Sequence, residues 1–138
     1  MGTLPKRDEI KVKKVTLKGN KVKIDLGNRV LIAKIKVEPH IENVGHWLGT
    51  HGKVIEIDND IASNPKYEKS VALHEVVEEA EFRSLPSGIP SGERQHQAHI
   101  IATRIERTYF LKYLGNEKEW RNYSSKVSKI HKKEVGKK

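Results

Sequence analysis

His74, Glu78 and Glu81 follow one another at spacings of four and three residues, the spacing that places side chains on one stripe of a helix. A divalent metal takes neutral imidazole and carboxylate ligands at ~2.0–2.2 Å, and an i, i+4 pair on a rigid helix offers two of them already aligned. Glu75 directly follows His74, as in an H-E-x-x-H signature, where that Glu binds no metal and serves as general base toward the water the metal activates. In this chain the second His position is Glu78, so the pattern is H-E-x-x-E; glutamate also ligates zinc. The competing reading of the same residues makes His74, Glu75, Glu78, Glu79 and Glu81 the solvated face of an amphipathic helix.

The helix that must carry these groups has clear ends. Asn64 suits a cap and Pro65 a first helical position, where the missing N–H costs nothing, and the run Leu85 to Pro90 breaks the pattern. A helix over about 65–84 is therefore expected, with Leu73, Val77 and Ala80 as an apolar stripe beside the polar one. Ser91 reads as the cap of a second helix reaching about residue 114, whose apolar stripe is Ala98, Ile101, Ala102, Ile105 and Tyr109. His99 and Glu106 lie on one edge of that stripe. If the two stripes pack together across the short connection, His99 approaches His74 and Glu78. A bland alternative keeps each histidine at a core edge, hydrogen-bonded to a neighbouring Glu. Asn116 and Glu119 form a capping box ahead of Trp120, Tyr123, Val127 and Ile130, predicting a third helix over about 117–134.

Before residue 64 the period changes from 3.6 to two. Apolar residues alternate with Lys through Ile10, Val12, Val15 and Leu17, then Val22, Ile24 and Leu26, with a turn at Lys18 to Lys21; this predicts a hairpin of strands 10–17 and 21–26. Val30 to Val37 is a third strand, ended by Pro39, and Lys53 to Asp58 a fourth. Residues 38–52, rich in Gly and His, read as a loop; His40, His46 and His51 there match no ligand spacing and are expected to be ordinary loop histidines. The fold expected is α+β, a single domain over 1–138 in which an N-terminal antiparallel sheet of three to four strands packs on about three C-terminal helices. Residues 1–9 and 135–138 are expected to be disordered.

Composition narrows the function classes. With no Cys, disulfides and zinc–cysteine sites are excluded, so any metal must take His and carboxylate ligands. No apolar run approaches the ~18 residues of a membrane span, and no signal-peptide core is seen at the start, which predicts a cytoplasmic protein without a membrane partner. Charged residues make up 33% of the chain with an excess of Lys, Glu, Ile and Val, a balance that resembles thermophile proteins. The net charge of +9 is unevenly spread. Residues 1–37 carry +8 and 111–138 carry +6, whereas 38–110 carry −5. Basic ends around an acidic centre fit a charged working site in a basic envelope, which itself can contact nucleic acid nonspecifically.

A strand at 54–58, a short linker, and a helix carrying His74 and Glu75 together resemble the minimal core of zincin-like metallopeptidases. In that family an edge strand lies over the cleft beside the H-E-x-x-H helix, and a third ligand comes from a later helix. The resemblance covers about residues 50–106. It implies a zinc cofactor, His74 as first ligand, Glu78 in the second ligand position, His99 as third and Glu75 as base. Glu81 and Glu106 are then carboxylates that support the ligands or replace one. A peptide or protein substrate is implied, lying along the strand at 54–58 and adding its backbone hydrogen bonds to a sheet edge. Two other classes remain open: a nucleic-acid-binding module using the basic termini, and a zincin-like scaffold that binds or assembles without catalysis.

Overall fold

The computed structural model describes residues 12–27, 30–38, 45–48 and 54–135. Its N-terminal half is a sheet of strands β1 (Lys14–Lys18), β2 (Lys21–Asp25), β3 (Val30–Glu38), β4 (Gly45–Leu48) and β5 (Val54–Asp58). Its C-terminal half holds a single turn α1 (Asn59–Ala62) and the helices α2 (Pro65–Ser84), α3 (Ser91–Tyr109) and α4 (Glu117–Val135); a π-helical turn at Phe110–Leu114 continues α3. The α+β class expected from the change of period is observed, with all described strands before residue 59 and all helices after residue 58. The expected disorder of 1–9 and 136–138 lies outside the described residues, and residue 135 is the last of α4.

The sheet differs from expectation in two respects. Its order among the described residues is β1-β2-β3-β5-β4, five strands where three to four were expected. It is mixed, because β3 and β5 run parallel while every other pairing is antiparallel. The extra strand β4 comes from the segment read as a loop and forms a ladder from Gly45↔Ile57 to Leu48↔Val54. Inserting β4 between β3 and β5 in sequence turns the chain twice, which leaves β3 and β5 pointing the same way. The position of β5 also overturns one expectation: it is paired on both sides, so no further chain can add to the strand at 54–58. Among the described residues the sheet edges are β1 and β4.

Local chemistry explains the ends of these elements. Gly19 turns the β1–β2 hairpin at φ 61°, a left-handed conformation that two-residue hairpin loops require and glycine adopts without strain. Asn64 caps α2 by accepting from the backbone N–H of Lys66 at 3.0 Å and of Tyr67 at 3.4 Å. The capping box of α4 forms as read: Glu119 N donates to Asn116 Oδ1 at 2.9 Å, and Asn116 N to Glu119 Oε1 at 3.2 Å. Ser91 is the exception. It is the first helical residue of α3, the cap position being Pro90, which offers no side-chain bond.

Alternation then builds the core. Val15, Val22, Ile24, Ala33, Ile35, Ile55 and Ile57 project from one face of the sheet onto Leu73, Val77, Ile101, Ile105 and Phe110. At ~25 cal/mol per Å² of apolar area, each such side chain contributes about 1.5–3 kcal/mol. Helix α2 contacts all five strands on one side and α3 along its length on the other, so every residue from Ser70 to Glu81 is buried. One long-range bond ties the sheet to the helices: the Val15 N–H donates to the Tyr109 hydroxyl at 3.1 Å. No helix among the described residues is long and apolar enough to cross a membrane.

Candidate metal centre

The burial of α2 decides between the two readings of its polar residues. His74, Glu75, Glu78, Glu79 and Glu81 are between 1% and 8% exposed, so the solvated-face alternative is overturned. Burying charged groups without partners costs several kcal/mol each, and such groups persist where a network or a ligand compensates them. That network is visible around His74.

His74 Nδ1 lies 3.0 Å from Glu106 Oε1. The other oxygen of Glu106 accepts from the Tyr123 hydroxyl at 2.6 Å and from the Ser70 hydroxyl. With Nδ1–H committed to a carboxylate, the Nε2 lone pair of a neutral His74 is directed to the other side of the ring. There His74 Nε2 is 3.2 Å from His99 Nδ1, and His99 Nδ1 is 3.1 Å from Glu78 Oε2. The other oxygen of Glu78, Oε1, lies 3.9 Å from His74 Nε2. The two imidazoles meet edge to face, with centroids 4.9 Å apart. Gln95 Nε2 reaches Glu78 Oε2 at 3.5 Å from α3.

Two of these distances match a particular geometry. Ligand atoms about 2.0–2.1 Å from a tetrahedral metal lie roughly 3.3 Å from one another, close to the two separations that meet at His99 Nδ1. Among the described residues His74, Glu78 and His99 are the one such group, their ligand atoms all within 4.8 Å. The sequence reading thus brings together the residues it named from α2 and α3, although Glu81 is not in the converging set. Two of the three ligands are buried, but the His99 side chain is 58% exposed. The centre is closed toward the protein and open to solvent at one corner.

The electrostatics follow from this packing. Burial alone lowers the affinity of His74 for a proton, but the hydrogen bond and charge of Glu106, with the charges of Glu75 and Glu78, outweigh it and raise its pKa to about 9. Burial raises Glu75 to about 8; His74 opposes this, while Glu78 and Glu106 add to it. Tyr123 is pushed well above 10 by burial and by the Glu106 charge, which keeps its phenol a proton donor. A cation at the centre would reverse the first two shifts, since it competes with the His74 proton and attracts the Glu75 charge.

Ser70 and Tyr123 are supports that the sequence reading did not assign. Ser70 stands one turn before His74 on the same stripe, a signal that was available. Tyr123 appeared only as part of the α4 apolar stripe; its ring sits among Tyr67, Phe110 and Trp120 at 5.0, 5.7 and 5.5 Å, and only packing shows where its hydroxyl falls. Of the three histidines read as loop residues, His40 and His51 lie outside the described residues, and His46 belongs to β4. Comparison of the chain with protein families, with curated proteins and with solved structures gives no match.

Proposed function

We propose that the protein is a zinc-dependent hydrolase of zincin-like type that acts on peptides. The observation that carries this reading is the triangle of His74 Nε2, Glu78 and His99 Nδ1, two of whose edges are 3.1 and 3.2 Å. The donor set fits zinc, because two imidazoles and a carboxylate are zinc ligands and the exposed corner leaves a fourth position for water. A hydrogen-bonded carboxylate behind a ligand histidine is a usual support of such sites, and Glu106 supplies it. A divalent ion held here supplies a water acidic enough to act as a nucleophile near neutral pH.

The remaining work falls to the chain itself. Glu75, buried and adjacent to His74 on the same helix, is the residue that would accept a proton from that water as general base. Glu106 holds His74 in one tautomer through Nδ1. Since β5 is internal, an extended peptide finds its backbone partner on the edge strand β4, which contacts α2 and runs antiparallel to β5. That arrangement, with the H-E-x-x-E helix and a third ligand on the following helix, supports the zincin resemblance on a shifted strand.

Elemental analysis of the purified full chain is the direct test, with titration of Zn²⁺ into metal-depleted protein. One equivalent of zinc, lost in His74→Ala and in His99→Ala, is expected. A chain that binds no divalent metal, or whose metal survives removal of both histidines, overturns the reading.

A further inference from the structure

The face of the sheet turned away from α2 carries a second chemical feature, independent of the metal centre. Alternation sends Lys14, Thr16 and Lys18 of β1, Lys21 and Lys23 of β2, and Ile32, Lys34 and Lys36 of β3 to this side, opposite the core residues between them. Apart from the half-buried Thr16, all are exposed. Register then sets like charges together. Lys18 is directly opposite Lys21, and Lys21 directly opposite Lys34, a row of three ammonium groups across strands about 4.8 Å apart. Lys23 lies two residues from Lys21 on the same strand, between Thr16 and Ile32.

Like charges directly opposite one another destabilise a sheet, so folding does not favour this arrangement. Several cations elsewhere are paired. Lys66 pairs with Glu119 and Arg107 with Glu117, each at 3.0 Å, and Arg83 pairs with Glu79. Even on this face the corners are balanced, with Lys14 opposite Asp25 and Lys36 beside Glu56. Lys18, Lys21, Lys23 and Lys34 in the middle make no ion pair among the described residues.

We infer that this sheet face binds the phosphate backbone of a nucleic-acid duplex. Four lysines on three adjacent strands form a two-dimensional cationic array, which neutralises phosphates without requiring base contacts. On β1, β2 and β3 the outward side chains are Lys, Thr, aliphatic and the single acid Asp25, without an aromatic ring to stack on an unpaired base. The same lack of Trp or Phe argues against insertion into a lipid interface, where aromatic side chains anchor.

The test is titration of a short fluorescently labelled DNA duplex with the full chain, followed by anisotropy over a salt series. Four phosphate contacts give a slope of log K on log salt of about −3.6, or a loss of roughly 150-fold between about 50 and 200 mM salt. Lys21→Gln with Lys34→Gln should halve that slope to about −1.8. Both positions are exposed and like-charged, so the variant is expected to melt no lower than the parent, which circular dichroism checks. Lys118→Gln with Lys129→Gln, on exposed positions of α4, should leave the slope unchanged. Absence of duplex binding at low salt overturns the proposal. So does a slope that follows the α4 variant while ignoring the sheet variant, and so does binding to phosphatidylserine vesicles with none to the duplex.

Discussion

Tyr123 on α4 donates its hydroxyl to Glu106 Oε2 on α3 at 2.6 Å, and through that carboxylate the last helix of the chain supports the imidazole of His74 on α2. Three helices therefore meet in one chain of hydrogen bonds, from Tyr123 to Glu106 to His74. Removing the hydroxyl in Tyr123→Phe keeps the ring in its aromatic cluster and deletes one donor to a buried carboxylate. Urea denaturation should show a loss of about 1.5–3 kcal/mol, the range for hydrogen bonds to charged groups. Unchanged stability would mean the contact is not formed in solution.

Glu106→Ala removes the acceptor itself. His74 then loses the bond that fixes its tautomer, and Zn²⁺ affinity should fall by about 10- to 100-fold. Titration of zinc into the metal-depleted variant measures it. Equal affinity in variant and parent rules out Glu106 as the support.

Glu75→Gln separates ligand from base. The amide preserves shape and leaves the three ligands intact, so zinc content should match the parent while peptide hydrolysis falls by roughly 10² or more. His74→Ala should lose the metal. Metal loss in Glu75→Gln would instead make Glu75 a ligand.

The pH dependence of the metal-free protein has a definite sign. Folding raises His74 from its ordinary 6.5 to about 9, so its stabilisation is complete below about 6.5 and disappears as pH rises through about 9. Glu75 moves from 4.5 to about 8 and acts in the same direction over that lower window. In both cases the folded state holds a proton that the unfolded state has released, so stability falls with rising pH. Zinc must displace the His74 proton, and its apparent affinity should rise by about tenfold per pH unit below about 9. Denaturation and zinc titrations across pH 5 to 9 check both; a metal-free protein that gains stability with pH contradicts them.

Asn64→Ala tests how the site helix begins. The two backbone N–H groups it caps would be left to water, which costs about 0.5–2 kcal/mol. A thermal melt of the metal-free protein measures the loss, and no change in melting temperature would show that Pro65 alone is enough to start α2.

The bounds of α2 and α4 were legible because capping is written in short-range chemistry, at Asn64-Pro65 and at Asn116 with Glu119. The approach of His99 to His74 was legible because two apolar stripes on adjacent helices must face each other. Strand β4 was not, since Gly45–Leu48 gains its strand character from pairing with β5 and not from an alternating pattern of its own. Alternation reports which face a side chain takes and says nothing of strand direction, so the parallel β3–β5 pair could not be read. Nor could the burial of Glu75, Glu79 and Glu81: charge on a helix signals water unless a second layer covers it, and here β4, α3 and the sheet enclose α2.

The bond from Val15 to Tyr109 has a consequence for how these molecules coexist at high concentration. Among the described residues strand β1 is a rim of the sheet, and free backbone groups on such a rim template the stacking of one chain onto another. The phenol of Tyr109 occupies the outward N–H of Val15 at 3.1 Å, and Lys14 and Lys18 flank it on the same short strand. An incoming strand would have to evict a buried side chain and approach two like charges before making its first hydrogen bond. Fibre growth from this rim is thereby discouraged by a residue contributed from the far end of α3.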